Sequence, residues 1–177
     1  MGGGFLLGYS VQKYVGWHNK KWAFSRIIAT MVQEEYMTVS TNYIERNLKI
    51  MQQFEQVINT ADETKAEQLI APDAPFITPA SPTPLYGGKG YLSLVHWLRK
   101  SFPDVQWHAL DIVAQEDKVA VLWECTGTHK GDFMGIPATG KAFKTTFMNI
   151  YYFNPAGKIT KDVAAVGMIG IINALRN

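Results

Sequence analysis

Cysteine is almost absent from this chain. Cys125 is the only one among 177 residues, which excludes a disulfide within the chain and a zinc site built from several thiolates. A single unpaired thiol is typical of proteins from a reducing compartment. We therefore expect a cytoplasmic protein.

Long apolar runs and an excess of one charge sign are also missing. No stretch of 18 or more apolar residues occurs, so the sequence predicts no membrane-spanning helix. The net charge of +2 comes from residues 1–36, which carry four basic and two acidic residues, whereas residues 37–177 carry thirteen of each. A neutral domain lacks the basic surface that nucleic-acid binding requires, so we expect no nucleic-acid partner.

The composition that is present is typical of a globular protein. Hydrophobic residues make up 47% and charged residues 18% of the chain, which argues against disorder, and the length favours one domain. Residues 1–36 show no clear periodicity. We interpret them as an extra segment, a start-site artefact or disordered, and residues 37–177 as the domain; the alternative is a genuine helix over Lys20–Tyr36 that packs on the domain.

Helix signals dominate the first half of the predicted domain. Asn42 with Glu45 three residues later predicts a helix start, and Thr60 with Glu63 predicts a second, short helix through Ile70. A third helix is expected after Gly90, following a proline-rich stretch with one short strand at 76–78. Apolar residues at helical spacing predict the buried stripes of the first and third helices: Ile44, Leu48, Met51, Phe54 and Ile58, then Tyr91, Val95, Leu98 and Phe102.

After Pro103 the apolar pattern changes to a period of two. It predicts strands over Val105–Ala114, Lys118–His129, Lys141–Phe153 and Lys158–Val166, followed by a short helix. Helices followed by an antiparallel meander indicate an α+β fold. A strongly curved sheet wrapped over a long helix would form a cone-shaped barrel with a hollow, apolar interior.

Three motifs carry a family resemblance. The segment TGTHKGDFMGIPATGK over Thr126–Lys141, with Ser101–Val105 upstream and Gly157–Ile159 downstream, resembles the SnoaL-like (ester cyclase-like) polyketide cyclase family; Ala138 stands where the family often has proline. The resemblance implies a nuclear transport factor 2-like α+β cone, usually a homodimer. It also implies acid–base chemistry on a small apolar carbonyl compound, with no metal and no organic cofactor.

The carboxylate that the resemblance leads one to expect is missing. Family enzymes carry an acid–base Asp at the end of the last strand, and Gly167 stands at that position here, with Lys161 and Val163 at the family's Glu and Trp positions. These three positions share one parity along a strand and therefore one face. Asp162 has the opposite parity, so it is expected on the other face unless a bulge intervenes.

Two other residues are candidates for catalysis. His129 could act as a neutral donor or base at the mouth of the pocket; alternatively it stabilises the Gly131–Gly140 loop as a structural part of the motif. Asp111 could replace the lost Asp if it points inward, although a mid-strand acid more often lies on the solvated face of a sheet. A carboxylate held in an apolar pocket would have a raised pKa.

Further residues of the predicted strands are candidates for binding substrate. A buried amide at Asn149 would need a hydrogen-bond partner, and its alternative is the solvent-facing side of the sheet. The aromatic residues could instead pack in a dimer interface. The candidate set is Trp107, Trp123, Phe147, Asn149 and Tyr151.

Two functions follow from these patterns. The first is a cofactor-independent cyclase, isomerase or hydrolase that closes or rearranges a carbonyl compound, for which a base and an enolate-stabilising donor are needed. The second is a non-catalytic small-molecule-binding or dimeric interaction module of the same fold. Polar side chains in the pocket favour the first, and a purely apolar or collapsed pocket favours the second.

Overall fold

The computed structural model describes residues 6–76, 81–165 and 168–176. Within these ranges, residues 6–21, 23, 165 and 168 are described by their backbone alone. Helices and a meander of strands follow one another in the order expected from the sequence. Their bounds are α1 Leu6–Thr60, α2 Glu63–Leu69, β1 Pro75–Phe76, β2 Leu85–Tyr86, α3 Gly87–Ser101, β3 Gln106–Gln115, β4 Lys118–Thr128, β5 Ala142–Phe153, β6 Ile159–Ala165 and α4 Met168–Arg176.

The predicted α+β class is confirmed. Strands β3 to β6 form one antiparallel sheet in chain order, and β1 and β2 form a separate two-stranded ladder. The predicted ends of the four long strands agree with the observed ends to within one residue wherever the structure describes them. The short strand expected at 76–78 is reduced to β1, and residues 77–80 lie outside the described part of the chain.

The helix start predicted at Asn42 is wrong. Helix α1 runs through this position without interruption, and the hydroxyls of Thr38 and Thr41 donate to the carbonyl oxygens of Glu34 and Met37, four residues earlier. These hydroxyls therefore make their hydrogen bonds within α1 rather than capping a new helix. A local capping signal is weak beside the cooperativity of an established helix.

Two compact units divide the chain, Met1–Asn42 and Tyr43–Asn177. In the first unit, the large apolar side chains described between 22 and 39 are exposed to solvent. They are Trp22, Phe24, Ile27, Ile28, Met31, Val32, Tyr36, Met37 and Val39.

The second unit holds the hydrophobic core. Met51, Phe54 and Ile58 of the predicted first stripe are buried, as are Val95 and Leu98 of the third helix. Along β4 the burial alternates, with Val119, Val121, Trp123 and Cys125 almost fully buried and the residues between them partly exposed. This two-residue period defines an inner face of the sheet, which contributes to the core, and an outer face.

Side-chain amides tie the end of α1 to the sheet. Asn59 donates through Nδ2 to the carbonyl oxygen of Trp107 at 2.7 Å and accepts the peptide N–H of Trp107 through Oδ1 at 2.9 Å. Arg99 of α3 donates to the carbonyl oxygens of Ile58 and Asn59. The backbone groups left unpaired where α1 ends and β3 begins are thereby satisfied.

The second helix begins close to where its capping signal lies. Asp62, rather than Thr60, is the N-cap, and its Oδ1 accepts the peptide N–H of Lys65 at 3.0 Å. The Thr60 hydroxyl instead donates to the carbonyl oxygen of Gln56 within α1. Helix α3 begins at Gly87, four residues earlier than the predicted start after Gly90.

Candidate active site

The five residues predicted to bind substrate share the inner face of the sheet. Phe147 lies opposite Trp123, Asn149 opposite Val121, and Tyr151 opposite Val119. Directly opposed residues of an antiparallel pair point to the same face, and Trp107 joins the set because its partner is Cys125, which shares the parity of β4's buried residues. Four of the five are buried and Phe147 is half-buried.

A register shift in β6 brings a carboxylate to this face. Lys161 lies opposite Tyr152, but Ile159 lies opposite Phe153, so Thr160 is an extra residue without a partner of its own. Its hydroxyl donates to the carbonyl oxygen of Tyr152 at 3.2 Å. An extra residue of this kind reverses the alternation of the residues that follow it.

Asp162 lies on the face opposite to Lys161 and Val163, as its parity predicts, but the bulge makes that face the inner one. Asp162 lies opposite Tyr151, which is almost fully buried, and thus on the inner face. Lys161 and Val163 are exposed on the outer face, the Lys161 ammonium 5.3 Å from the centre of the Tyr152 ring. Gly167, the position at which the resemblance places the acid–base Asp, lies outside the described residues.

Asp162 and Asn149 form a close polar pair within the apolar inner face. Asn149 Nδ2 donates to Asp162 Oδ1 at 2.6 Å. Burial raises the pKa of Asp162 to about 6, and the hydrogen bond from Asn149 lowers it in part. Because an apolar surrounding disfavours the ionised carboxyl, this acid exchanges protons in the range in which acid–base catalysts operate.

A hydrogen-bonded pair of tyrosines lies beside Asp162. Trp123 Nε1 donates to the Tyr151 hydroxyl at 3.1 Å, and the hydroxyls of Tyr151 and Tyr91 share a hydrogen bond. The Phe54 ring packs edge-on against both tyrosine rings, with centroids 5.1 Å from Tyr91 and 5.3 Å from Tyr151.

Both tyrosines are neutral donors. Burial raises the pKa of Tyr91 and Tyr151, and the charge of Asp162 raises both further. The hydrogen bond between the two hydroxyls lowers the pKa of Tyr91 and raises that of Tyr151. A neutral tyrosine hydroxyl both donates and accepts, so this pair can offer an O–H donor beside Asp162.

Asp111, one of the two predicted catalytic residues, lies away from this group. It is exposed and lies opposite Leu122, on the outer face of the sheet. Its Oδ1 accepts the peptide N–H of Ile112 at 2.9 Å.

His129, the other predicted catalytic residue, is fully buried just beyond β4. Its Nδ1 lies 3.1 Å from Thr139 Oγ1. Its peptide N–H donates to the carbonyl oxygen of Lys141, and its own carbonyl oxygen accepts the peptide N–H of Gly140. Nε2 has no hydrogen-bond partner among the described residues.

A long stretch of sheet separates His129 from Asp162. The neighbouring Thr128 pairs with Ala142, nine residues along β5 from Tyr151, which corresponds to ~30 Å of extended strand. The structure does not bring His129 and Asp162 together.

The motif around His129 joins the sheet to the end of α3. The carboxylate of Asp104 accepts the peptide N–H and the hydroxyl of Thr128, at 2.8 Å and 2.6 Å. The peptide N–H groups of Lys130 and Gly131 both donate to the carbonyl oxygen of Ser101. These contacts give the motif a role in holding the loop against the end of α3.

Sequence reasoning missed Asp162 and Tyr91 as members of the site. Tyr91 was included only in the apolar stripe of the third helix, because its hydroxyl partners belong to distant strands. Asp162 is the one acid in β6, which is a signal, but only the position of the extra residue decides its face. A threonine within a strand gives no warning of a bulge.

Neither a metal centre nor a membrane span is found within the described ranges. No group of three or more His, Cys, Asp or Glu side chains among those residues could hold a metal ion. None of the helices, over the residues searched, is long and apolar enough to cross a membrane.

Comparisons with solved structures extend the likeness over most of the chain. A proposed polyketide cyclase from Acidithiobacillus ferrooxidans is 29% identical, with a TM-score of 0.63 over 74% of this chain and 94% of that one. IdmH from Streptomyces antibioticus, a proposed polyketide cyclase, is 26% identical, with a TM-score of 0.62 over 74% and 99%. TsrD from Streptomyces laurentii shares the fold at 20% identity, with a TM-score of 0.64 over 74% and 95%.

The family model for the SnoaL-like polyketide cyclase matches residues 48–175, and no curated protein matches the chain. The match spans α3, the whole four-stranded sheet and most of α4, so it includes Asp162, Asn149 and both tyrosines. The chain belongs to the SnoaL-like polyketide cyclase family.

Proposed function

We propose that this protein is a cofactor-independent acid–base enzyme, a cyclase, isomerase or hydrolase, that acts on a small apolar carbonyl compound. The observation that carries the proposal is Asp162, a carboxylic acid on the inner face whose pKa is raised to about 6 and which is held by Asn149. A shifted carboxyl beside hydrogen-bond donors and apolar walls is the combination that enolisation needs.

In the proposed reaction, the Asp162 carboxylate removes a proton from the carbon next to the substrate carbonyl. The electrons of the broken C–H bond form the C=C bond of an enolate, and the carbonyl oxygen becomes the anion. The O–H of Tyr91 donates to that oxygen, supported by Tyr151 and Trp123 behind it. In an isomerisation, the enolate takes the proton back from Asp162 at carbon. In a cyclisation, the enolate carbon attacks a second carbonyl carbon of the substrate, the electrons of that C=O π bond move to its oxygen, and Asp162 gives the proton to this oxygen.

This assignment gives the acid–base role to Asp162, which lies five positions before Gly167, where the resemblance places the family's Asp. The bulge at Thr160 supports it, because it turns Asp162 toward Tyr151. Asp111 and His129 are less suitable as bases, since one is exposed on the outer face and the other is held in a loop contact.

We further propose a cytoplasmic homodimer that forms through the outer face of the sheet and binds no nucleic acid. Val113, Ala120, Ile150 and Val163 form one row across all four strands, and the first, third and fourth of these are exposed. An exposed apolar row of this kind favours contact with a second copy.

The test is exchange of α-protons in D2O, followed by NMR, with acetophenone, 1-tetralone and 1-phenylbutane-1,3-dione as probes. The wild type should accelerate exchange for at least one probe, with a rate that rises as pH passes ~6, where Asp162 ionises. Asp162→Asn should slow exchange by at least ~100-fold.

The matched control is Asp111→Asn, which removes an exposed carboxylate from the outer face of the same sheet and should leave the rate unchanged. If the probes bind and neither the wild type nor the control exceeds buffer exchange, the protein is the non-catalytic binding module instead. If Asp162→Asn exchanges as fast as the wild type, Asp162 is not the base.

A further inference from the structure

Asn149 has an acceptor that the protein does not use. The residue is 5% exposed, and its Nδ2 is committed to Asp162 at 2.6 Å. Its Oδ1 is buried and has no hydrogen-bond partner among the described residues. Burying an amide oxygen without a donor is unfavourable, so an acceptor left in this state points to a group that arrives from outside.

The orientation of the amide follows from its neighbour. An ionised carboxylate only accepts hydrogen bonds, so the NH2 end of Asn149 must face Asp162 and the oxygen end must face away from it. The free acceptor and the carboxylate therefore lie at the two ends of one planar group. A ligand that contacts both Asp162 and Oδ1 must therefore extend past this amide.

Nearby donors of the site already have partners or a role. Trp123 Nε1 donates to Tyr151, and Tyr151 shares its hydrogen bond with Tyr91. The cross-strand neighbours of Asn149, Val121 and Ala164, have no polar side-chain atom, and both backbones belong to the ladder. The group that fits Oδ1 is thus a donor carried by the ligand.

We propose that Asn149 is a specificity-determining residue whose Oδ1 accepts a hydrogen bond from the substrate, so that the substrate is an otherwise apolar carbonyl compound that carries a hydroxyl group. This rests on the proposed function for the role of Asp162 as the base. A buried acceptor discriminates strongly because an analogue without the hydroxyl leaves it unpaired. An apolar ketone of the same shape would fit the inner face but would bind more weakly.

The test uses pairs of probes that differ in donor capacity and little in size: 3′-hydroxyacetophenone against 3′-fluoroacetophenone, and 4′-hydroxyacetophenone against 4′-fluoroacetophenone. Dissociation constants are measured by NMR titration on the full chain. In at least one pair the hydroxyl probe should bind the wild type roughly tenfold more tightly than the fluoro probe. In Asn149→Leu that ratio should fall to about one.

Asp162→Asn is the matched control, because it changes the partner of Nδ2 and leaves Asn149 in place. It should lose α-proton exchange and keep the hydroxyl preference, so a failure of the acid–base role and a failure of the hydroxyl contact give different results. If Asn149→Leu does not fold, the double variant Asp162→Asn/Asn149→Leu takes its place in the same titration. The double variant also removes the Asp162 carboxylate, which the single variant leaves without its hydrogen-bond donor. Equal affinities within both pairs for the wild type, or no binding of any probe, overturn the proposal, as does a preference that survives the loss of Asn149.

Discussion

Replacing Asp162 by Asn should make the protein more stable at neutral pH and should abolish the proposed α-proton exchange. In the folded state burial raises the pKa of this carboxyl from 3.8 to about 6, so the folded protein binds its proton more tightly than the unfolded chain does. Stability from this group is complete below pH ~4 and is lost as the pH rises through ~6. A difference of about two pKa units corresponds to roughly 3 kcal/mol.

The Asn side chain has the shape of Asp and cannot ionise. Its oxygen can still accept the hydrogen bond from Asn149 Nδ2. The variant should therefore match the wild type near pH 4 and exceed it at pH 7.5 by up to ~3 kcal/mol. A stabilising change that removes activity is the expected signature of a site that is kept strained for function.

Urea unfolding of the wild type and the variant at pH 4.5, 6 and 7.5 measures the difference directly. Other ionisable groups contribute equally to both proteins, so only the difference between the two free energies of unfolding is interpreted. Asp111→Asn serves as the control and should show no such trend, because that side chain is exposed. Parallel curves for Asp162→Asn and the wild type across the pH series would refute a carboxyl at position 162 whose pKa is raised in the folded state.

A chain beginning at Met37 should have the same melting temperature as the full chain, because the buried core lies in the unit Tyr43–Asn177. A clearly lower melting temperature would show that residues 1–36 contribute to stability. Ile150→Lys should convert the proposed dimer to a monomer in sedimentation, whereas Thr146→Lys, on the same face and also exposed, should not; a dimer in both variants would place the interface elsewhere. Gly131→Ala should lower the free energy of unfolding by ~1–3 kcal/mol, because its Cβ would overlap the carbonyl oxygen of Lys100. An unchanged urea midpoint would contradict that contact.

The sheet was largely predictable from the sequence, and the start of the first helix was not. Period-two alternation in β4 follows burial directly, since Val119 through Cys125 alternate between the core and the outer face. The signal at Asn42 rested on two side chains, and it could not outweigh a helix that already extends from Leu6. Whole-segment periodicity is reinforced by tertiary packing, whereas a cap is a single local interaction.

For the candidate site, the residues that share the inner face of the sheet could be predicted from the sequence, but the acid among them could not. Trp123 and Tyr151 follow from parity within regular strands, so their common face could be predicted. Asp162 depends on where β6 departs from regularity, and Tyr91 depends on a contact between a helix and a distant strand. Sequence spacing alone therefore predicts neither the face of Asp162 nor the contact of Tyr91.

The extra residue in β6 has a consequence for how proteins of this fold diverge. Loss of the single codon for Thr160 would restore strict alternation from the buried Ile159 and would still leave Lys161 outward and Asp162 inward, because Thr160 is the residue without a partner in β5. Regular pairing of Thr160 with Tyr152 would instead turn Lys161 and Val163 inward in place of Asp162. Two relatives with the same residues at the same spacing could thus present an acid or a base on the inner face, according to whether this one residue lies in the ladder.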